Sequence, residues 1–172
     1  MRDTIGIDPG STESGIVVWQ ADAVALAEVW PNRKLRDWLK FTGPGYPLKI
    51  EALSCYGMPV GAEVFETAYF IGRLLELWET MHPEFPAQLI PRREVKLFWC
   101  GNMRAKDPHI RQAIIDRFGG KEKAIGRKAC PGPLYGVTGH CWSALAIALC
   151  EVPSLLNPVE NPTVPAQGSG TL

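Results

Sequence analysis

Apolar and polar positions fall into short alternating runs at the start of the chain and into longer helical periodicities after it. A run through Ile5 and Ile7 ends on Asp8, breaks at Pro9-Gly10-Ser11, and resumes as Ile16-Val17-Val18-Trp19. That is the pattern of a tight hairpin with Asp8 displayed at its mouth. Ala23 to Trp30 predicts a third strand, ended by Pro31-Asn32, so three antiparallel strands come first. Leu35, Trp38 and Leu39 have helical spacing within Arg33 to Phe41, a short amphipathic helix closed by Thr42-Gly43-Pro44-Gly45. Leu48 to Leu53 predicts a fourth strand with a second acid, Glu51, near its end. After a loop at Cys55 to Gly61 comes the longest helix, Glu63 to Met81, with Phe65, Ala68, Tyr69, Leu74, Leu75 and Trp78 on its apolar side.

Pro83 and Pro86 break that helix, and Ala87 to Pro91 predicts a short buried strand. Helices are expected over Arg92 to Cys100 and His109 to Phe118, with a loop over Gly101 to Asp107 and a stop at Gly119-Gly120. Lys121 to Tyr135 shows no periodicity and predicts a mobile loop. A last helix is expected from Gly139 to Val152. Beyond it, 153–172 holds four prolines and a GSG run, the composition of a disordered tail. The element order predicts an α/β domain over 1–152: a mixed five-stranded sheet, three antiparallel strands followed by parallel additions, flanked by helices. This is the strand order of the ribonuclease H-like fold.

Composition narrows the class. At 172 residues the chain suits one domain with a core large enough to need no staples. Five cysteines, odd in number and without a CxxC pair, fit reduced thiols better than disulfides or a zinc site. No apolar run is long enough to cross a bilayer and no secretory leader is evident, so a cytoplasmic location is expected. Net charge is zero, yet Arg92 to Lys128 holds eleven Lys and Arg against four Asp and Glu. That stretch carries +7 and the remainder −7, an electrostatic footprint for a polyanion or, more plainly, a solvated helix face.

In the expected sheet the ends of the first and fourth strands are neighbours, so Asp8 and Glu51 would face each other across a cleft. Paired carboxylates repel unless a cation sits between them, and two divalent ions suit a phosphodiester displacement. His140, at the start of the last helix, would stand beside the same cleft. Turn chemistry alone also explains Asp-Pro-Gly, and a lone helix-start histidine is ordinarily structural.

Four ordered stretches then carry a resemblance: IGIDPGSTESGIVVW, Ile50-Glu51, PRREVKLFWCGNMRAKDPHIRQAI and GHCWSALAIAL. Together they resemble the RuvC-type Holliday junction resolvases over most of Thr4 to Glu151. The resemblance implies Mg²⁺ or Mn²⁺, two ions per site, held by Asp8, Glu51 and His140. It also implies a homodimer that cuts four-way DNA junctions, without a nucleotide cofactor. Lys96 and Lys106 match the family's phosphate-contacting lysines, with Arg92, Arg93, Arg104 and Arg111 as helpers. Tyr56 matches an aromatic that can wedge at the junction centre. The departure is in the last helix, where Ser143 replaces the family's second acid, leaving a neutral hydroxyl as a weak ligand. Two rivals follow: a ribonuclease H-fold module that binds branched DNA without cutting, and, from the same DPGSTESG, a fragment of an actin-like ATPase.

Overall fold

The expected sheet is present in a computed structural model, which describes residues 3–43, 45–54, 57, 59–152 and 155. Its strands are β1 (Thr4–Asp8), β2 (Glu13–Gln20), β3 (Ala23–Pro31), β4 (Leu48–Ala52) and β5 (Gln88–Pro91), in spatial order β3-β2-β1-β4-β5. β1 and β2 pair antiparallel, as do β2 and β3, whereas β4 joins β1, and β5 joins β4, in parallel. The connections follow from chemistry. Antiparallel neighbours close through short turns, while each parallel addition needs a helical crossover, supplied by α1 (Asn32–Leu39) and α2 (Ala62–Met81).

The side-chain period of two sorts β1 and β4 into opposite faces. Ile5, Ile7, Leu48 and Ile50 belong to one core with Leu35 and Leu39 of α1 and Phe70, Leu74 and Trp78 of α2. The other face of the same strands carries Gly6 and Asp8 on β1, and Lys49 and Glu51 on β4. The last helix, α6 (Cys141–Ala148), lies against it within a second core that holds Trp99, Ile110, Ile114 and Leu145. α6 presses directly onto β1 because residue 6 has no side chain: a Cβ there would come within 2.2 Å of Ala144 O and 2.7 Å of Ala148 N. Lys49 secures the other end of the helix. Its buried ammonium donates to Ala148 O at 3.0 Å and Cys150 O at 2.7 Å, satisfying carbonyls that a helix C-terminus leaves open. Burial lowers the Lys49 pKa and pushes the Cys150 thiol up to about 12.

Three expectations need correction. Phe65 and Tyr69 do not share the buried side of α2. Thr67, Phe70, Ile71, Leu74 and Trp78 line that side, while Phe65 and Tyr69 are 52% and 70% exposed on the flank. Lys121 to Tyr135 is not a mobile loop either. It contains α5 (Lys121–Ala124) and a two-stranded ribbon, β6 (Gly126–Arg127) with β7 (Cys130–Pro131). Ala124 and Leu134 are fully buried, Leu134 N donates to Ala124 O, and Val24 N donates to Pro133 O, tying the segment to β3. Two- to four-residue elements are too short to show a period, which is why the pattern was silent. Third, the last helix runs Cys141–Ala148, not to Val152, so His140 occupies its N-cap position. Of the expected tail only Leu155 is among the described residues, its N–H donating to Leu89 O at 2.9 Å. Among the described residues no helix is long and apolar enough to cross a membrane.

Candidate functional site

The turn after β1 is built to display Asp8. Ser14 Oγ accepts from Gly10 N (3.2 Å) and donates to Asn32 Oδ1 (2.7 Å), while Asn32 Nδ2 donates to Gly10 O and Ser11 O. Asn32 N also donates to Thr12 O. One side chain, supplied by the first residue of α1, thus satisfies the polar backbone of the turn that follows the acid. Sequence reasoning took Asn32 only as the end of a strand. Its pairing partners lie 18 to 22 residues earlier and carry no local signal.

Glu51 arrives beside Asp8 by register. Ile7 pairs with Ile50 in the parallel β1·β4 ladder, so the next residues on each strand, Asp8 and Glu51, lie side by side on the α6 face. The two carboxyl groups hydrogen-bond to each other. Burial pushes the Glu51 carboxyl up to about 8, against the pull of Arg92, and the neighbouring Asp8 charge adds to the rise. Burial also raises the Asp8 carboxyl, opposed by Arg92, Glu51 and His140. Both carboxyls are thus pushed the same way, toward holding a proton, because burial and a like-charged neighbour each disfavour the ionised form.

Arg92, the first residue of α3 (Arg92–Cys100), turns into this space. Its Nη1 lies 3.3 Å from Glu51 Oε2 and its Nη2 is bonded to Asp107 Oδ1. Asp107 opens α4 (Asp107–Arg117), where an acid is favoured by the positive end of the helix dipole. The helix starts two residues earlier than expected, which carries Asp107 out of the loop and onto the wall of the site. Sequence reasoning missed it for that reason, and it read Arg92 as a phosphate contact because only its charge was visible.

His140 is exposed and shares a recess of about 270 Å³ with Asp8, Gly10 and Glu13, and Asp8 also lines a second recess with Glu51 and Arg92. It is held there by a second close approach: a Cβ on Gly15 of β2 would come within 3.1 Å of His140 O. His140, Ser143 and Asp107 together line a larger cleft of about 660 Å³, which runs on past Arg111 and Lys121. Arg111 stacks over the Trp142 ring at 4.8 Å.

The remaining basic candidates are spread along α3 and the loop before α4. Lys96 is half-buried on α3, and Arg104 and Lys106 are exposed in the loop. Arg93 is exposed and paired with Glu94 at 2.9 Å, away from the acids. Tyr56 lies outside the described residues.

As a donor set, two carboxylates and an imidazole suit a hard or borderline divalent ion. Among the described residues no three His, Cys, Asp or Glu are grouped closely enough to hold an ion together as they stand. The Arg92 guanidinium stands between Glu51 and Asp107.

No family model and no curated protein sequence matches the chain. Solved structures do. A Thermus thermophilus RuvC in complex with a Holliday junction substrate shares 20% identity over 87% of this chain and 92% of its own, with a TM-score of 0.58. A second Thermus thermophilus RuvC structure shares 18% identity over 86% and 91% of the two chains, with a TM-score of 0.62. At these identities the likeness shows a common fold, the RuvC-type version of the ribonuclease H-like sheet.

Proposed function

We propose that this chain is a metal-dependent endonuclease that cuts four-way or related branched DNA. The observation that carries the reading is the Asp8–Glu51 pair, two half-buried acids brought side by side by adjacent parallel strands. Mg²⁺ or Mn²⁺, two ions per site, would supply charge neutralisation at the scissile phosphate and an activated water. Asp8 and Glu51 would hold the ions from the strands and His140 from the start of α6. The rigid sheet fixes where the acids point, and the glycine contacts at positions 6 and 15 fix how near α6 brings its imidazole. Lys96, Lys106, Arg104 and Arg111, with Arg93 farther out, would carry the sugar-phosphate backbone toward that point. Tyr56, next in chain order after the acid strand, would meet the junction centre.

The partner proposed alongside DNA is a second copy of the chain, since two symmetric cuts need two sites. Phe65 and Tyr69, apolar and exposed on α2, suit such a contact. Light scattering at micromolar concentration should report a dimer without DNA, and a monomer there would remove the preformed pair.

Purified protein incubated with synthetic four-way, forked and linear DNA, with Mg²⁺, with Mn²⁺ and with EDTA, tests the reading. Cutting of branched substrates that depends on metal is expected. A second reading, binding of branched DNA without cutting, draws on Ser143 and on the absence of a ready three-ligand group among the described residues. Tight junction binding with no product in either metal would select it.

A further inference from the structure

We propose that Asp107 is the acid this site uses in place of one at position 143, closing the ion site from the α4 side. The inference rests on the proposed metal-dependent reading and names a ligand that reading lacks. Without it, the proposed site offers two carboxylates and one imidazole to ions carrying four positive charges, and Ser143 adds no charge. Asp107 stands where the deficit is. It lines the same cleft as His140 and Ser143, from the facing helix.

Arg92 measures the spacing. One guanidinium touches Glu51 with one nitrogen and Asp107 with the other, so the two carboxylates already bracket a single cation. The Asp107 side chain is 72% exposed and is held by Arg92, whereas Glu51 is 15% exposed on its strand. An ion entering beside Glu51 would displace Arg92 from it and find Asp107 opposite. Arg92 is then free to turn outward to a phosphate, which reconciles its present place among acids with a role toward DNA. The alternative is that Asp107 serves only the α4 dipole and anchors Arg92.

The two separate in a titration of the full-length protein with Mn²⁺, followed by calorimetry without DNA. Asp107→Asn keeps the side chain's size and its exposed setting, so a matching thermal melt in EDTA confirms an intact fold. Mn²⁺ affinity should fall roughly tenfold or more. Adding Ser143→Asp to Asp107→Asn should return affinity to within about threefold of the original, because the second acid re-enters from α6. Arg92→Gln should tighten Mn²⁺ binding by removing the competing cation. Unchanged affinity in Asp107→Asn, or no recovery with Ser143→Asp, overturns the inference while leaving the nuclease reading in place. If the unmodified protein takes up no Mn²⁺, the metal-dependent reading falls and the inference with it.

Discussion

The two walls of the cleft are held in opposite ways. The strand wall, Asp8 and Glu51, is placed by a hydrogen-bonded ladder and sits over packed core, so its acids are shielded from water and one keeps its proton up to about pH 8. The helix wall, His140, Ser143 and Asp107, consists of residues at or near the starts of α6 and α4, where side chains are open to solvent or partly so. A buried wall supplies direction and stored electrostatic demand. In the proposed reading, the open wall would supply the adjustable ligands and the buried wall the fixed ones. The difference is one of constraint: the ladder register and the packed core fix the strand side chains, while the side chains at the helix starts have room to turn.

If that division is right, damage to the strand wall should be the more severe. Asp8→Asn or Glu51→Gln should reduce junction cutting by roughly a thousandfold or more, the equivalent of several kcal/mol of transition-state stabilisation. Junction binding in EDTA should be kept or slightly improved, because a negative charge has been removed. Parallel loss of binding in a gel-shift assay would mean the acids support the fold or the DNA contact, not the chemistry.

On the helix wall, His140→Ala should cost on the order of tenfold to a hundredfold in cutting, and Ser143→Ala only a few-fold. Rates should favour Mn²⁺ over Mg²⁺ in the unaltered chain, since imidazole suits the softer ion. Equal damage from the two substitutions would give the Ser143 hydroxyl a positioning role. No effect of His140→Ala in either metal would make the histidine structural.

The buried wall also predicts a pH dependence of stability without metal. Glu51 titrates near 8 in the folded protein, against an ordinary 4.5, so between those values the folded state holds a proton that the unfolded chain has released. Stability should therefore fall as pH rises through that window, by up to about 1.4 kcal/mol per pH unit. Thermal melts in EDTA from pH 5 to 8 measure it, and Glu51→Gln should flatten the slope. A slope that survives Glu51→Gln belongs to other groups.

The smallest effects are expected farthest from the acids. Lys96→Ala and Lys106→Ala should weaken binding to all DNA alike and reduce the salt slope by about one unit each. An unchanged slope would return them to ordinary solvated lysines.

How much of this could be read along the chain follows the same division. Asp8 and Glu51 were legible because strand period and parallel register are local rules that carry two residues to one place. The sheet order followed from the spacing of short and long connections. Arg92 and Asp107 were legible only as charges, since Arg92 pairs with Glu51 across 41 residues and with Asp107 across 15, and the second pairing depends on where α4 begins. Asn32 was invisible as the clasp of the Asp8 turn for a similar reason. The segment at Lys121 to Tyr135 misled because it is held by backbone bonds and two buried residues, neither of which leaves a repeating pattern.

The lysine that seals the last helix has a consequence in time. For α6 to part from the sheet, both carbonyls held by Lys49 must be released together while the close contact at Gly6 opens along its length. Backbone amides of α6 and of the β1–β4 ladder should therefore exchange deuterium only on the slow schedule of global unfolding. Those of α4 and the 126–131 ribbon should exchange sooner. The block bearing Asp8 and Glu51 would then behave as an anvil, and any give in the molecule would be left to the helix starts that face it.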